Sequence, residues 1–114
     1  MVLHGWHDDS ATLAMSSRIE QAALGADLAV LEPDGVGASW DAGRCCGTAA
    51  SSGVADVAAL RAMLAAAGAD GVALTARPYV VGFSNGGMMT YRWVCAGFPV
   101  RAAAVLNCSL MTSC

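Results

Sequence analysis

Residues 78–90 constrain the fold of this chain more than any other segment. A short run of β-branched and aromatic residues stops at Gly82, and a segment able to form a helix begins at Asn85. Between them, Ser84 is flanked by Gly82 and Gly86 in the pattern Gly-x-Ser-x-Gly. Glycine suits a sharp turn because it tolerates a strained backbone and a close approach of neighbouring chain. The pattern predicts a strand that turns abruptly into a helix and exposes the Ser84 hydroxyl at the bend.

Strand and helix patterns alternate along the rest of the chain, which predicts an α/β fold. A regular alternation of this kind favours a parallel sheet of about four strands with helices on both faces. Ligands of such sheets bind at the carboxyl ends of the strands, where both His4-Gly5 and Ser84 fall. The predicted strands are 1–3, 26–31, 79–83 and about 102–107, and the predicted helices are about 11–24, 54–67 and 85–96.

Charge and hydropathy argue against two classes of partner. The net charge is −3 and the basic residues, all arginines, are scattered, so no basic face for nucleic acid is expected. No apolar run approaches the ~20 residues that a membrane-spanning helix needs. The first residues, Met-Val-Leu-His-Gly, carry neither the basic nor the apolar region of a signal peptide.

Five cysteines are many for a cytosolic chain of 114 residues. No Cys-x-x-Cys pair occurs and the histidines lie far away in sequence, so neither a metal site nor a cofactor is expected. Structural disulfides in an exported protein are the favoured interpretation, with Cys45, Cys46 and Cys95 as candidates. Adjacent cysteines more often pair with different distant partners, although Cys45-Cys46 also admits a redox role.

A few charged or titratable side chains have a structural interpretation beside a functional one. Asp56 falls in the first turn of a predicted helix, where a carboxylate interacts favourably with the helix dipole. Arg92 has no evident anionic partner. His4 and His7 precede Ser84 on a loop expected near it, but a base needs both hydrogen-bond reach and an orienting partner. We therefore expect His4 to be structural and His7 to lie in a solvated loop.

Several segments, taken together, resemble the polyhydroxybutyrate-depolymerase-like esterases of the α/β-hydrolase superfamily, a group that includes feruloyl-esterase-like members. They run nearly from end to end in the order expected for that family. The matching segments are 2–6 (Val-Leu-His-Gly-Trp), 32–35 (Glu-Pro-Asp-Gly), 39–47 (Ser-Trp-Asp-Ala-Gly-Arg-Cys-Cys-Gly), 54–57 (Val-Ala-Asp-Val) and 82–89 (Gly-Phe-Ser-Asn-Gly-Gly-Met-Met).

The resemblance implies a secreted serine esterase that works through an acyl-enzyme. Ser84 would be the nucleophile, and the backbone N–H groups of Asn85 and Trp6 would form the oxyanion hole. His4, Gly5, Gly82 and Gly86 would support the motif. The implied substrate is a polyester or an ester-bearing polysaccharide, without a cofactor.

The chain departs from this family in its catalytic acid and base. In α/β-hydrolases an Asp or Glu and then a His follow the serine, whereas residues 85–114 contain no Asp, Glu or His. The resemblance therefore implies that 1–114 is a partial domain, an internal fragment without the first strands and without the part that bears the acid and base. Its open sheet edges favour self-association. Three interpretations remain: part of an esterase, a catalytically incompetent remnant, or a thiol-linked redox module.

Overall fold

The described part of the chain, residues 1–72 and 77–108 of a computed structural model, contains three strands and five helices. This arrangement belongs to the α/β class that the alternating pattern predicts. The predicted strand 79–83 and the helix that follows it are confirmed. In chain order the elements are β1 (Val2–Leu3), α1 (Ser10–Ser17), α2 (Ile19–Gly25), α3 (Gly47–Ser52), α4 (Asp56–Ala69), β2 (Tyr79–Phe83), α5 (Asn85–Cys95) and β3 (Ala102–Leu106).

The sheet is parallel and has β2 in the middle, between β1 and β3. Gly82 is in register with Leu3 on one side and with Val105 on the other. The pairing continues past the end of β2, because the Ser84 N–H donates to the Leu106 carbonyl at 2.8 Å. The carboxyl ends of all three strands therefore meet at one edge, and Ser84 lies on that edge.

The prediction of a fourth strand at 26–31 is wrong. The chain leaves α2 through Asp27, whose φ is 54°, and the Leu28 N–H donates to the Ala23 carbonyl at 2.9 Å. The first residues of the apolar run 26–31 therefore form the turn that ends α2, and they do not belong to a strand. A backbone hydrogen bond to the sheet follows, from the Val2 N–H to the Leu31 carbonyl at 2.9 Å. The described sheet accordingly has three strands instead of about four.

The helix predicted at 11–24 is divided in two. It starts at Ser10, where the Asp9 carboxylate accepts the Thr12 N–H at 2.7 Å and so acts as the N-cap. Arg18 then adopts a left-handed conformation with φ 54°, which no helix interior accommodates. The second helix restarts beyond it, with the Ser17 hydroxyl accepting the Ile19 N–H at 3.3 Å.

Helix α5 packs on one face of the sheet, and Leu60 of α4 reaches the core that forms there. Leu3, Val80 and Gly82 lie on that face, because side chains alternate along a strand and Leu3 is in register with Gly82. The core that forms there is apolar and fully buried, so it supplies most of the hydrophobic stabilisation. Its members are Leu3, Trp40, Ala42, Leu60, Val80, Met89 and Trp93.

The opposite face, which carries Val2 and Val81, borders an apolar cavity of about 750 Å³. Ile19 and Ala23 of α2 line it together with Leu64 of α4, so helical residues reach both faces of the sheet. The cavity lies toward the amino ends of the strands, beside Met1 and Tyr79, and Ser84 does not line it. Within the described residues, no helix is long and apolar enough to cross a membrane.

Candidate active site

Ser84 occupies the bend between β2 and α5. Its backbone has φ 49° and ψ −117°, a region that residues with a Cβ rarely adopt. The residue is exposed although Gly82, Asn85 and Gly86 around it are buried. Its hydroxyl makes no capping hydrogen bond to the helix that it begins. The bend therefore presents one serine hydroxyl at the carboxyl edge of the sheet.

Glycine is required at Gly82 and Gly86 because neighbouring atoms leave no room for a Cβ. Neither residue has a positive φ that would itself require glycine. A Cβ on Gly82 would lie less than 3.0 Å from the Gly86 carbonyl and from the Thr90 hydroxyl. A Cβ on Gly86 would come equally close to the carbonyls of Leu3 and His4. The first turn of α5 therefore lies directly against the end of β1, which sets the position of Ser84.

The His4-Gly5-Trp6 loop lies beside the serine. A Cβ built on Gly5 would be 3.5 Å from the Cβ of Ser84, so the two backbones are neighbours at this edge. Trp6 follows with 48% of its surface exposed, and its ring stacks on His7 with centroids 4.4 Å apart. The structure thus brings together the serine and the loop that the sequence places at the end of β1.

His4 has a structural role. It is buried, its Nε2 accepts the Gly35 N–H at 2.9 Å, and its Nδ1 therefore carries the proton that is donated to the Gly5 carbonyl at 2.7 Å. Both ring nitrogens are consequently engaged with backbone. His7 is exposed, has φ 62°, and packs on Trp6. Neither histidine is hydrogen-bonded to Ser84, as the sequence analysis expects.

Backbone donors face the serine from the start of α5. The first helical hydrogen bond of this turn runs from the Met88 N–H to the Ser84 carbonyl at 3.1 Å. The N–H groups of Asn85 and Gly86 come before it and have no acceptor within the helix. Such groups carry the positive end of the helix dipole and suit a developing negative charge.

The Asn85 side chain joins α5 to the segment 40–45, a role that sequence reasoning missed. It is buried, its Oδ1 accepts the Trp40 N–H at 2.7 Å, and its Nδ2 donates to the carbonyls of Trp40 and Cys45 at 3.1 Å each. All three bonds are to backbone more than 30 positions away in sequence. No local pattern signals them, since Asn at this position is equally compatible with an exposed helix start.

Charged side chains also hold the segment 40–45 against α4 and α5. Arg92, which the sequence leaves without a partner, forms an ion pair with Asp41 at 2.6 Å and also donates to the Asp41 carbonyl. Asp56 is buried and its carboxylate accepts the Asp41 N–H at 2.6 Å. Asp56 therefore serves a tertiary contact in addition to its place in the first turn of α4.

Burial raises the pKa of Asp56 above its ordinary value of 3.8, and the Asp41 charge acts in the same direction. The Asp41 N–H bond and the Arg92 guanidinium act in the opposite direction. Between the ordinary and the raised pKa, the folded chain binds more protons than the unfolded chain. The contribution of Asp56 to the free energy of unfolding therefore falls as the pH rises through that window.

Asp56→Asn tests this pH dependence, because asparagine retains an acceptor for the Asp41 N–H and cannot ionise. We expect the variant to gain stability relative to the unmodified chain as the pH rises from 3.8 toward neutrality. Urea unfolding over that range measures the difference. Asp70→Asn, at an exposed carboxylate just after α4, is the control. Parallel stability profiles for the unmodified chain and Asp56→Asn would contradict the assignment.

The structure describes four of the five cysteines. The sulfurs of Cys45 and Cys46 lie within disulfide distance of each other. Cys95 also takes part in a disulfide, and Cys108 is a free, half-buried thiol. Cys114 lies outside the described residues. Across residues 1–72 and 77–108, no group of three or more His, Cys, Asp or Glu side chains is arranged to hold a metal ion.

Comparisons with known proteins give no relative from which a role can be transferred. No protein-family model matches the chain, and neither does any curated protein or solved structure. The function must therefore be argued from the site itself.

Proposed function

We propose that the chain carries the nucleophile and oxyanion half of a serine esterase site. The observation that supports this most is the backbone of Ser84, which holds an exposed hydroxyl at φ 49° between a strand and a helix. A strained serine in this position is typical of a nucleophile elbow. The fold class and the neighbouring Gly5 loop agree with a partial α/β-hydrolase.

In the proposed reaction, the Ser84 oxygen attacks the carbonyl carbon of an ester. Its proton passes to a base, and the N–H groups of Asn85 and Trp6 bind the negative oxygen of the tetrahedral intermediate. Collapse of the intermediate expels the alcohol and leaves an acyl group on Ser84, which water then removes. A hydroxyl at neutral pH is a poor nucleophile unless a base accepts its proton.

Neither His4 nor His7 is placed to be that base, and residues 85–114 have no acidic or histidine side chain. We propose that the base belongs to the remainder of a larger hydrolase domain, of which this chain is an internal part. The disulfide in which Cys95 takes part supports an exported parent protein. The proposed substrate is a polyester or an ester-bearing polysaccharide. Edge strand β3, which is largely exposed, supports self-association of the isolated chain.

Added imidazole tests the site without any further part of the protein. We expect a fluorophosphonate to modify Ser84 slowly, and imidazole to accelerate the modification at least tenfold, since general-base assistance is worth about 10²–10⁴-fold. Peptide mass spectrometry measures the adduct. Ser84→Ala should give none, whereas Ser51→Ala, at another exposed serine, should behave like the unmodified chain.

A catalytically incompetent remnant is the second candidate. The engaged nitrogens of His4 favour it, since the described residues offer Ser84 no hydrogen-bonded base. The imidazole experiment separates the two candidates. A folded chain whose Ser84 stays unmodified at all imidazole concentrations would support the remnant and end the esterase proposal.

A further inference from the structure

A tight turn carries the loop that lies beside Ser84. The Asp8 N–H donates to the Gly5 carbonyl at 3.3 Å, and His7 between them has a positive φ of 62°. These two features define a β-turn whose third residue is left-handed. Since Trp6 is the second residue, its N–H has no acceptor inside the turn. Nowhere in the described part of the chain does another residue accept it.

The imidazole of His4 holds the peptide unit to which this N–H belongs. Its Nδ1 donates to the Gly5 carbonyl at 2.7 Å, because the Gly35 N–H donates to Nε2 at 2.9 Å and so leaves the ring proton on Nδ1. The Gly5 carbonyl thus has two donors, the His4 ring and the backbone of the turn. The carbonyl and the N–H of a planar trans peptide point in opposite directions, so the Trp6 N–H points away from the His4 imidazole.

The buried side of this loop is closed by Trp40, and Ser84 borders its open side. The Trp40 and His4 rings have centroids 5.0 Å apart, and the Trp40 indole N–H donates to the His4 carbonyl at 2.9 Å. A Cβ built on Gly5 would be 3.5 Å from the Ser84 Cβ. The His4 imidazole therefore lies on the buried side, and the Trp6 N–H, which points away from it, is left toward the open side.

We propose that His4 is a positioning residue, which through its Nδ1 proton directs the Trp6 N–H toward the oxyanion at Ser84. The inference rests on the proposed function, because ester hydrolysis at Ser84 develops the negative oxygen that this N–H would bind. The Gly35 N–H has a defined part, since by occupying Nε2 it keeps the proton on Nδ1. Without a donor at Nδ1, the Gly5 carbonyl is held by the longer turn hydrogen bond alone, and the peptide unit that carries the Trp6 N–H can rotate away.

Two amide variants of His4 separate this role from a merely structural one. His4→Asn places its amide nitrogen near the position of Nδ1, so it keeps a donor for the Gly5 carbonyl and loses the acceptor for the Gly35 N–H. His4→Gln reaches the position of Nε2, so it keeps the acceptor and loses the donor. Each variant gives up one of the two ring hydrogen bonds, so their losses of stability in urea should be similar.

Fluorophosphonate labelling of Ser84 with added imidazole measures the effect on the oxyanion donor. We expect His4→Gln to slow the labelling by at least about tenfold and His4→Asn by less than about threefold, since losing one oxyanion donor costs about 10²–10³-fold. His7→Gln removes the exposed histidine of the same turn and should label like the unmodified chain. Equal slowing by His4→Gln and His4→Asn would leave His4 a structural residue and overturn the inference.

The direction of the Trp6 N–H is measured separately, by its one-bond residual dipolar coupling in weakly aligned, isotope-labelled protein. In the unmodified chain, the coupling should fit an N–H antiparallel to the Gly5 carbonyl, and it should change in His4→Gln but not in His4→Asn. A poor fit in the unmodified chain would overturn the inference even where a variant does not fold. If the couplings follow this pattern and Ser84 never labels, the orientation of the amide by His4 stands and the esterase proposal fails.

Discussion

Gly86→Ala should lower the free energy of unfolding by about 3 kcal/mol, the upper end of what overpacking usually costs. The added Cβ would lie less than 3.0 Å from two backbone carbonyls, those of Leu3 and His4. Backbone cannot move aside as a flexible side chain can, so either β1 or the first turn of α5 must shift. For a chain of this length the expected loss in Tm is on the order of 10 °C.

Gly25→Ala is the matched control, because a Cβ at that position meets no atom within 4 Å. It lies at the end of α2, where alanine should be neutral or stabilising by roughly 0.5–1 kcal/mol. Urea unfolding followed by tryptophan fluorescence measures both variants. Equal stabilities for Gly86→Ala and Gly25→Ala would show that α5 does not approach β1 as closely as described.

Asn85→Ala should be similarly costly, at about 3 kcal/mol. Three hydrogen bonds are lost, which leaves the buried Trp40 N–H and carbonyl and the half-buried Cys45 carbonyl without this partner. An unsatisfied buried polar group costs about 1–3 kcal/mol, which outweighs any gain in helix propensity from alanine. The same unfolding measurement applies, with amide exchange at Trp40 as a local readout.

Gln21→Ala provides the control for loss of a side-chain amide. Gln21 is exposed on α2, so its removal should change the free energy of unfolding by less than about 0.5 kcal/mol. A cost of that small size for Asn85→Ala would mean that the segment 40–45 is not held by this side chain.

Local patterns predicted the part of the fold on which the candidate site is built. The run before Gly82 and the spacing of Gly82, Ser84 and Gly86 predict β2, the bend and the start of α5, and long-range contacts with β1 and β3 then position the bend. Local patterns gave a wrong prediction where an apolar run was compatible with both a buried strand and the end of a helix. The segment 26–31 ends a helix because Asp27 turns left-handed, and no periodicity distinguishes that from a buried strand.

Contacts between distant positions were beyond sequence reasoning. Asp41 and Arg92 are 51 positions apart, and only the packing of α5 under the segment 40–45 brings them together. The close approach of the Cys45 and Cys46 sulfurs was equally undetermined, since cysteine connectivity cannot be deduced from spacing. The structural role of His4 was expected from its place in a His-Gly turn. The two backbone groups that bind its ring, the Gly5 carbonyl and the Gly35 N–H, could not be identified from the sequence.

The hydrogen bond from the Ser84 N–H to the Leu106 carbonyl has a consequence for biosynthesis. The ribosome releases residue 106 well after residue 84, so the strained bend lacks this hydrogen bond until β3 has emerged and docked. We therefore expect nascent chains that end before β3 to leave this serine in a relaxed conformation. The bend would then form only once β3 has paired with β2.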